Sequence, residues 1–119
     1  MRLLVDTSIW IDHIRSPHVQ LGPALDEGKV LMHPFVMGEI IMGRPLPSHV
    51  IADLDDLDEP EVATVDEVRE VVRRHRLGGT GLSYVDAHLI ASTLVTLDCL
   101  LLTRDKSLLA VAERLGIAG

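Results

Sequence analysis

Asp6, Glu39, Asp86 and Asp105 stand inside or at the end of strongly apolar segments, LLVDTSIWI, FVMGEIIM, YVDAHLIAS and LLLTRDKSLL. An ionised carboxylate hidden among apolar side chains needs a partner, because an isolated charge is too costly to bury. Cations are scarce beside these four. Arg104 and Lys106 flank Asp105, and no base adjoins the other three. Carboxylates scattered along the chain without matching bases point to a divalent cation that gathers them.

An all-oxygen donor set suits Mg²⁺ or Mn²⁺ rather than Zn²⁺. The six histidines are dispersed, with no HExxH pattern or paired spacing that would argue for zinc. A carboxylate-held Mg²⁺ activates water and neutralises charge on a scissile phosphate, and a second ion can clamp both reacting oxygens. Phosphodiester hydrolysis is the reaction class that makes best use of such equipment.

Each acid also has a local reading. Ser83-Tyr84-Val85-Asp86 fits a capping box, with Asp86 returning a bond to the Ser83 amide. Asp105 suits the N-cap of the last helix, and Asp6 an Asx-turn into the first. Glu39 has no such use. Its neighbours Met37, Gly38, Ile40, Ile41 and Met42 are apolar or small, which predicts a helix buried all round, and Glu39 with it.

The elements that must position these residues follow from pattern and punctuation. RLLV, KVLMH and CLLLT read as strands, and EVATV as a weaker one. Asp6 and Asp105 each follow a strand, and the carboxyl ends of parallel strands form the ligand crevice of an open α/β sheet. Between the strands lie helical segments: SIWIDHI, with Thr7 and Ser8 as caps and Pro17 as its end; LGPALDEG, stopped by Gly28; and FVMGEIIMG, opened by Pro34 and closed by Gly43. SHVIADLDDLDEP follows with Ser48 as candidate cap. DEVREVVRRHRL places Val68, Val71, Val72 and Leu77 on one face. GGTG reads as a flexible hinge, SYVDAHLIASTLVTLD as the longest helix, and DKSLLAVAERLG as the last, before a residual IAG. Alternation of strands and helices predicts a parallel sheet covered on both faces.

The totals bound the class. A chain of 119 residues, 47% hydrophobic and 24% charged, predicts a single globular domain over residues 1–119 with one ordinary core. Aromatics are only 3%, which argues against a base-stacking platform for single-stranded nucleic acid. The single cysteine, Cys99, excludes an internal disulfide. With no signal peptide and no apolar run long enough to span a bilayer, the expected address is the cytoplasm, without membrane contact. The net charge of -7 argues against generic nucleic-acid binding but not against an enzyme that grips a phosphodiester through a metal. Arg69, Arg73, Arg74 and Arg76 form the one local basic cluster, either a solvated helix face or an RNA guide. Arg104, beside Asp105, is a better-placed candidate for a phosphate contact.

Together, LLVDTSIWI, VMGEII, GLSYVDAHLIAS and LLLTRDKSLLAVAERLG resemble the four motifs of PIN-domain ribonucleases, in order and over nearly the whole chain. Among these the likeness is to VapC toxins of bacterial VapBC toxin–antitoxin pairs. The resemblance implies a three-layer α/β/α sandwich around a parallel sheet and a Mg²⁺- or Mn²⁺-dependent endoribonuclease that cuts tRNA or ribosomal RNA. It implies that Asp6 and Asp86 are the direct metal ligands. Glu39 and Asp105 complete the pocket, partly through water, and Ser8 and Thr103 orient the carboxylates by hydrogen bonds. It further implies a homodimer and a cognate VapB-type antitoxin. Two rival readings are a catalytically silent PIN-like module that only binds protein or RNA, and a phosphohydrolase with Asp6 as nucleophile. The second lacks the further aspartate expected two residues on, where Ser8 stands.

Overall fold

The computed structural model describes residues 1–119. RLLV forms β1 (Arg2–Val5), which pairs in parallel with β2 (Val30–Leu31) on one side and β3 (Cys99–Leu102) on the other. Leu4, Val5, Leu31, Leu101 and Leu102 are buried, as expected where helices cover both faces of a parallel sheet. Single bridges widen the sheet at its edges, Asp58 beside Leu31 and Ala118 beside Leu101. The terminal IAG is therefore structured: the Leu101 N–H donates to the Ile117 carbonyl at 2.7 Å, and the Gly119 N–H donates to the Leu101 carbonyl at 2.8 Å.

The helices are α1 (Thr7–Arg15), α2 (Leu21–Asp26), α3 (Pro34–Met42), α4 (Ser48–Asp55), α5 (Val65–Arg74), α6 (Tyr84–Val95) and α7 (Lys106–Arg114). With the sheet they make the three-layer α/β/α sandwich that the sequence predicts. None is long and apolar enough to cross a membrane. The deepest is α6, buried at every residue from Ala87 to Thr93, and it packs on β3 and α5. Pro34 begins α3 and the left-handed Gly28 follows α2, each where its backbone preference places it.

Three local expectations are corrected. The first helix is capped by Asp6 rather than by Thr7 or Ser8, which lie inside it. Ser48 is the first residue of α4 and makes no side-chain cap; Pro47 precedes it as the cap residue. EVATV is not a strand. Val65 already begins α5, and the residues before it run along the end of α6, where the Thr96 hydroxyl accepts from the Glu61 N–H at 2.9 Å and the Ser92 hydroxyl accepts from the Ala63 N–H at 3.1 Å. Ser92 and Thr96, one helical turn apart, thus take the alternate amides that a neighbouring strand would have taken.

Ser92 has a second duty. His33, fully buried, caps α3 by accepting the Phe35 N–H at its Nδ1, 2.9 Å away. Its proton then sits on Nε2, which donates to Ser92 Oγ at 3.2 Å. Burial, reinforced by neighbouring His88, lowers the His33 pKa to about 4, so the ring stays neutral and able to cap at neutral pH. Phe35 lies edge-on to His33, and His88 packs between Phe35, tilted to it, and Tyr84, edge-on to it, joining the starts of α3 and α6. Ser92→Ala strands two buried donors at once, and urea unfolding should show a loss of roughly 2–4 kcal/mol. A loss well under 1 kcal/mol would show that this hydroxyl is not the acceptor both groups depend on.

Candidate active site: an acidic cleft at the carboxyl edge of the sheet

From β1 the chain moves to one side to form β2 and later returns to the other side to form β3, so β1 marks the reversal of strand order. Ligands of open α/β sheets bind beyond the carboxyl ends of strands at such a point. Val5 is in register with Leu102, and the Asp6 N–H continues the ladder to the Leu102 carbonyl at 2.9 Å. This register sets Asp6 beside Thr103. The Thr103 hydroxyl donates to Asp6 Oδ2 at 2.8 Å and accepts the Asp105 N–H at 3.1 Å, so one buried hydroxyl links the two strand-end aspartates.

Each acid is held by local donors. Asp6, 9% exposed, accepts the Thr7 N–H on Oδ1 at 2.8 Å, with the Ser8 hydroxyl at a longer 3.4 Å from Oδ2. Asp86 closes the capping box of α6: its Oδ2 accepts the Ser83 N–H at 3.1 Å, and the Ser83 hydroxyl accepts the Asp86 N–H at 3.1 Å. Asp105 caps α7 by accepting the Leu108 N–H at 2.9 Å. Glu39 Oε1 accepts the Thr7 hydroxyl at 2.6 Å, a contact between α1 and α3 across 32 residues of sequence.

All four acids line one open cleft of about 460 Å³, together with Thr7, Ser8, Ile11 and Arg104. Thr103 lies beneath it. Glu39 is exposed there, contrary to the helix buried all round that its neighbours suggest. Val36 and Ile40 face the core, while Phe35, Ile41 and Met42 are exposed, so α3 presents an apolar surface as well as burying one. Thr7 is the residue that sequence reasoning missed. It sits in the DTS segment, but its partner is remote in sequence and nothing nearby signals the contact.

The cleft is electrostatically unbalanced. Burial pushes the Asp86 carboxyl above the ordinary carboxylate range; the charges of Asp6 and Asp105 push the same way, and hydrogen bonding to Ser83 pulls it back. The one cation on the lining, Arg104, directs its Nε to Asp12 at 3.0 Å. No group of three acidic, histidine or cysteine side chains closes tightly enough to cage an ion by itself. An octahedral cation held by one or two carboxylates and completed by water needs no such cage, and the all-oxygen lining suits Mg²⁺ or Mn²⁺.

Asp86 predicts a pH signature. Its folded-state pKa is raised, so the folded form binds the extra proton, and stability falls as pH rises from the ordinary carboxylate range through that raised value. Asp86→Asn keeps an oxygen for the Ser83 amide and removes the charge. In EDTA at pH 7 it should melt no lower than the parent, with any gain shrinking toward pH 4. Asp86→Ala should be less stable than Asp86→Asn by about 1 kcal/mol, the worth of the lost cap bond. An Asp86→Asn protein that melts lower at pH 7 would contradict the cost that burial and the neighbouring acids place on the Asp86 charge.

Comparison with known proteins agrees with this arrangement. The family model for the PIN domain matches residues 3–114. Ribonuclease VapC32 of Mycobacterium tuberculosis, from strain CDC 1551 / Oshkosh, is 39% identical over 117 residues, covering 98% of this chain and 94% of the relative. The protein of the same name from strain ATCC 25618 / H37Rv aligns with the same identity and coverage. With the motifs in order on the predicted sandwich, and the four acids around one cleft, the chain belongs to the PIN-domain family, in its VapC group.

Proposed function

We propose that this chain is a Mg²⁺- or Mn²⁺-dependent endoribonuclease, the toxin of a type II toxin–antitoxin pair, acting in the cytoplasm on tRNA or ribosomal RNA. The observation that carries the reading is the cleft itself: four carboxylates, each clamped by its own donor, and none of them in an ion pair with a cation of the chain. The name of the M. tuberculosis relative supports the choice of RNA as substrate.

Asp6 and Asp86 are the residues we assign as direct ligands, with Glu39 and Asp105 completing the pocket through water. A bound ion would supply Lewis-acid stabilisation of phosphate charge and would acidify water. The protein's own part is positioning. Thr103 fixes the Asp6 carboxylate and the start of the Asp105 loop, Ser8 adds a weaker hold on Asp6, Thr7 fixes Glu39, and Ser83 fixes one oxygen of Asp86 while leaving the other for the cleft. Arg104 is assigned to the substrate phosphate. Its ion pair with Asp12 is partly solvent-exposed, so exchanging it costs about 1 kcal/mol or less.

A VapB-type antitoxin and a second copy of the chain are the protein partners of this reading. Ile41 and Met42, 56% and 85% exposed on α3, are apolar surface of the kind a partner covers.

The test is cleavage of total bacterial RNA by the purified protein with Mg²⁺ or Mn²⁺, followed by mapping of new 5′ ends. Discrete, metal-dependent cuts are expected. Thr103→Val should cut about 10- to 100-fold more slowly, the usual cost of losing a residue that orients a ligand, and Asp86→Asn more slowly still. Absence of cuts would favour the silent binding module instead, and equal cuts from Asp86→Asn would assign the cleavage to a contaminating nuclease and contradict the reading.

A further inference from the structure

The arginine-rich segment of α5 is not one basic face. Arg73 and Arg74 both lie against Glu70, at 2.5 and 3.6 Å. Arg76 takes another course: past the end of α5 its φ is 54°, in the left-handed region, and Leu77 turns back into the core. Arg76 thereby joins Lys106 and Arg114 of α7, with Thr80 and Ser107, around a separate open cleft of about 560 Å³. No carboxylate lines this cleft, and none of its three cations takes part in an ion pair. Arg114 donates one N–H to the His75 carbonyl at 2.9 Å, which anchors its guanidinium and leaves other donors free. In a chain with 18 acidic and 11 basic residues, this local excess of exposed, unpaired positive charge is available to an anionic ligand.

The basic cleft borders the acidic one across the start of α7. Asp105 caps that helix, and Lys106 and Ser107 are its first two residues. Gly81, at φ 86°, passes the same helix end, where a Cβ would stand 3.8 Å from Ser107 Oγ. Two residues later Ser83 caps α6 and fixes Asp86. One short stretch, 78–83, therefore runs from the basic cleft to the acidic one. Lys106 and Arg114 stand about 12 Å apart along α7 at 1.5 Å per residue. That is an extended track, better fitted to a polyanion than to a single small anion.

We propose that Arg76, Lys106 and Arg114 form a subsite for the RNA backbone, holding phosphates that flank the one in the acidic cleft. The proposal rests on the nuclease reading above. Lacking aromatic lining, the subsite reads charge rather than base identity, so it sets strand path and affinity without choosing the sequence. An acidic protein segment carries similar charge, but only a nucleic acid has reason to continue from this cleft into one built for phosphate chemistry.

The test is fluorescence anisotropy with a fluorescein-labelled, unstructured single-stranded RNA oligonucleotide, in EDTA to prevent cleavage, over a series of salt concentrations. Replacing all three cations (Arg76→Gln, Lys106→Gln, Arg114→Gln) should weaken binding at least about 10-fold at low salt. The dependence of log affinity on log salt should become shallower by about 2, at roughly 0.7 per phosphate contact on a single strand. The double variant Arg76→Gln, Lys106→Gln keeps the Arg114 anchor and should show about two-thirds of the slope change, which guards against a misfolded triple variant. Arg69→Gln, on an exposed position of α5, should bind RNA as the parent does. Unchanged affinity and slope in the triple and double variants, with RNA binding by the parent intact, would overturn the subsite and leave the nuclease reading standing. A parent that neither binds RNA nor cuts it with metal would overturn both. Tight binding of a polyglutamate peptide that the triple variant loses, with RNA affinity unaltered, would assign the cleft to an acidic protein segment and overturn the proposal.

Discussion

The parallel pairing of β1 with β3 fixes the position of everything chemical in this molecule. Because Val5 lies opposite Leu102, Asp6 leaves its strand beside Thr103, and the Thr103 hydroxyl spans the gap by donating to Asp6 and accepting from the Asp105 amide. Two acids are thereby set by the sheet. The other two arrive on helices, Glu39 on α3 through Thr7 and Asp86 on α6 through its capping box with Ser83. Each carboxylate is restrained by hydroxyl or amide donors, which carry no net charge. The repulsion among them is left uncancelled, and it contributes to raising the proton affinity of Asp86. A fold that retains such repulsion has it available to be relieved by a cation.

Charge in this protein is sorted rather than averaged. A net charge of -7 suggests a poor ligand for nucleic acid, and the acidic cleft alone would repel a phosphodiester. The backbone turn at Arg76 changes that locally, by bringing a third unpaired cation to Lys106 and Arg114 along α7. The arrangement pairs a cation-demanding cleft with an anion-demanding one across a single helix terminus. Under the proposed reading, substrate approach depends on local field rather than on the sum of charges.

Much of the site was legible in the sequence because its positioning devices are local. Asp6 directly follows β1, Asp105 stands three residues past the end of β3, and the Ser83–Asp86 spacing announces a capping box. The capping and cleft roles of Asp86 are compatible, since the cap uses one carboxylate oxygen. The features that sequence reading missed are long-range. Thr7 meets Glu39 across 32 residues. Ser92 and Thr96 replace the strand neighbour that EVATV was expected to have. The exposure of Glu39 was misread because apolar neighbours on every side imply burial only when every side is packed. On α3 the core takes Val36 and Ile40 and leaves Ile41 and Met42 outside. The arginine cluster was left open between a solvated face and an RNA guide for a related reason: composition shows four like charges but neither the Glu70 pairs nor the left-handed turn at Arg76.

The most direct test of the account is calorimetric titration of Mn²⁺ into the metal-free protein, beside an Asp6→Asn variant whose folding is checked by circular dichroism. If the strand-end and helix-borne carboxylates form a cation site, the parent should give a saturable heat and the variant should give none. A parent without saturable heat, or a folded variant that binds Mn²⁺ as well as the parent, would contradict the assignment of this cleft as a metal centre.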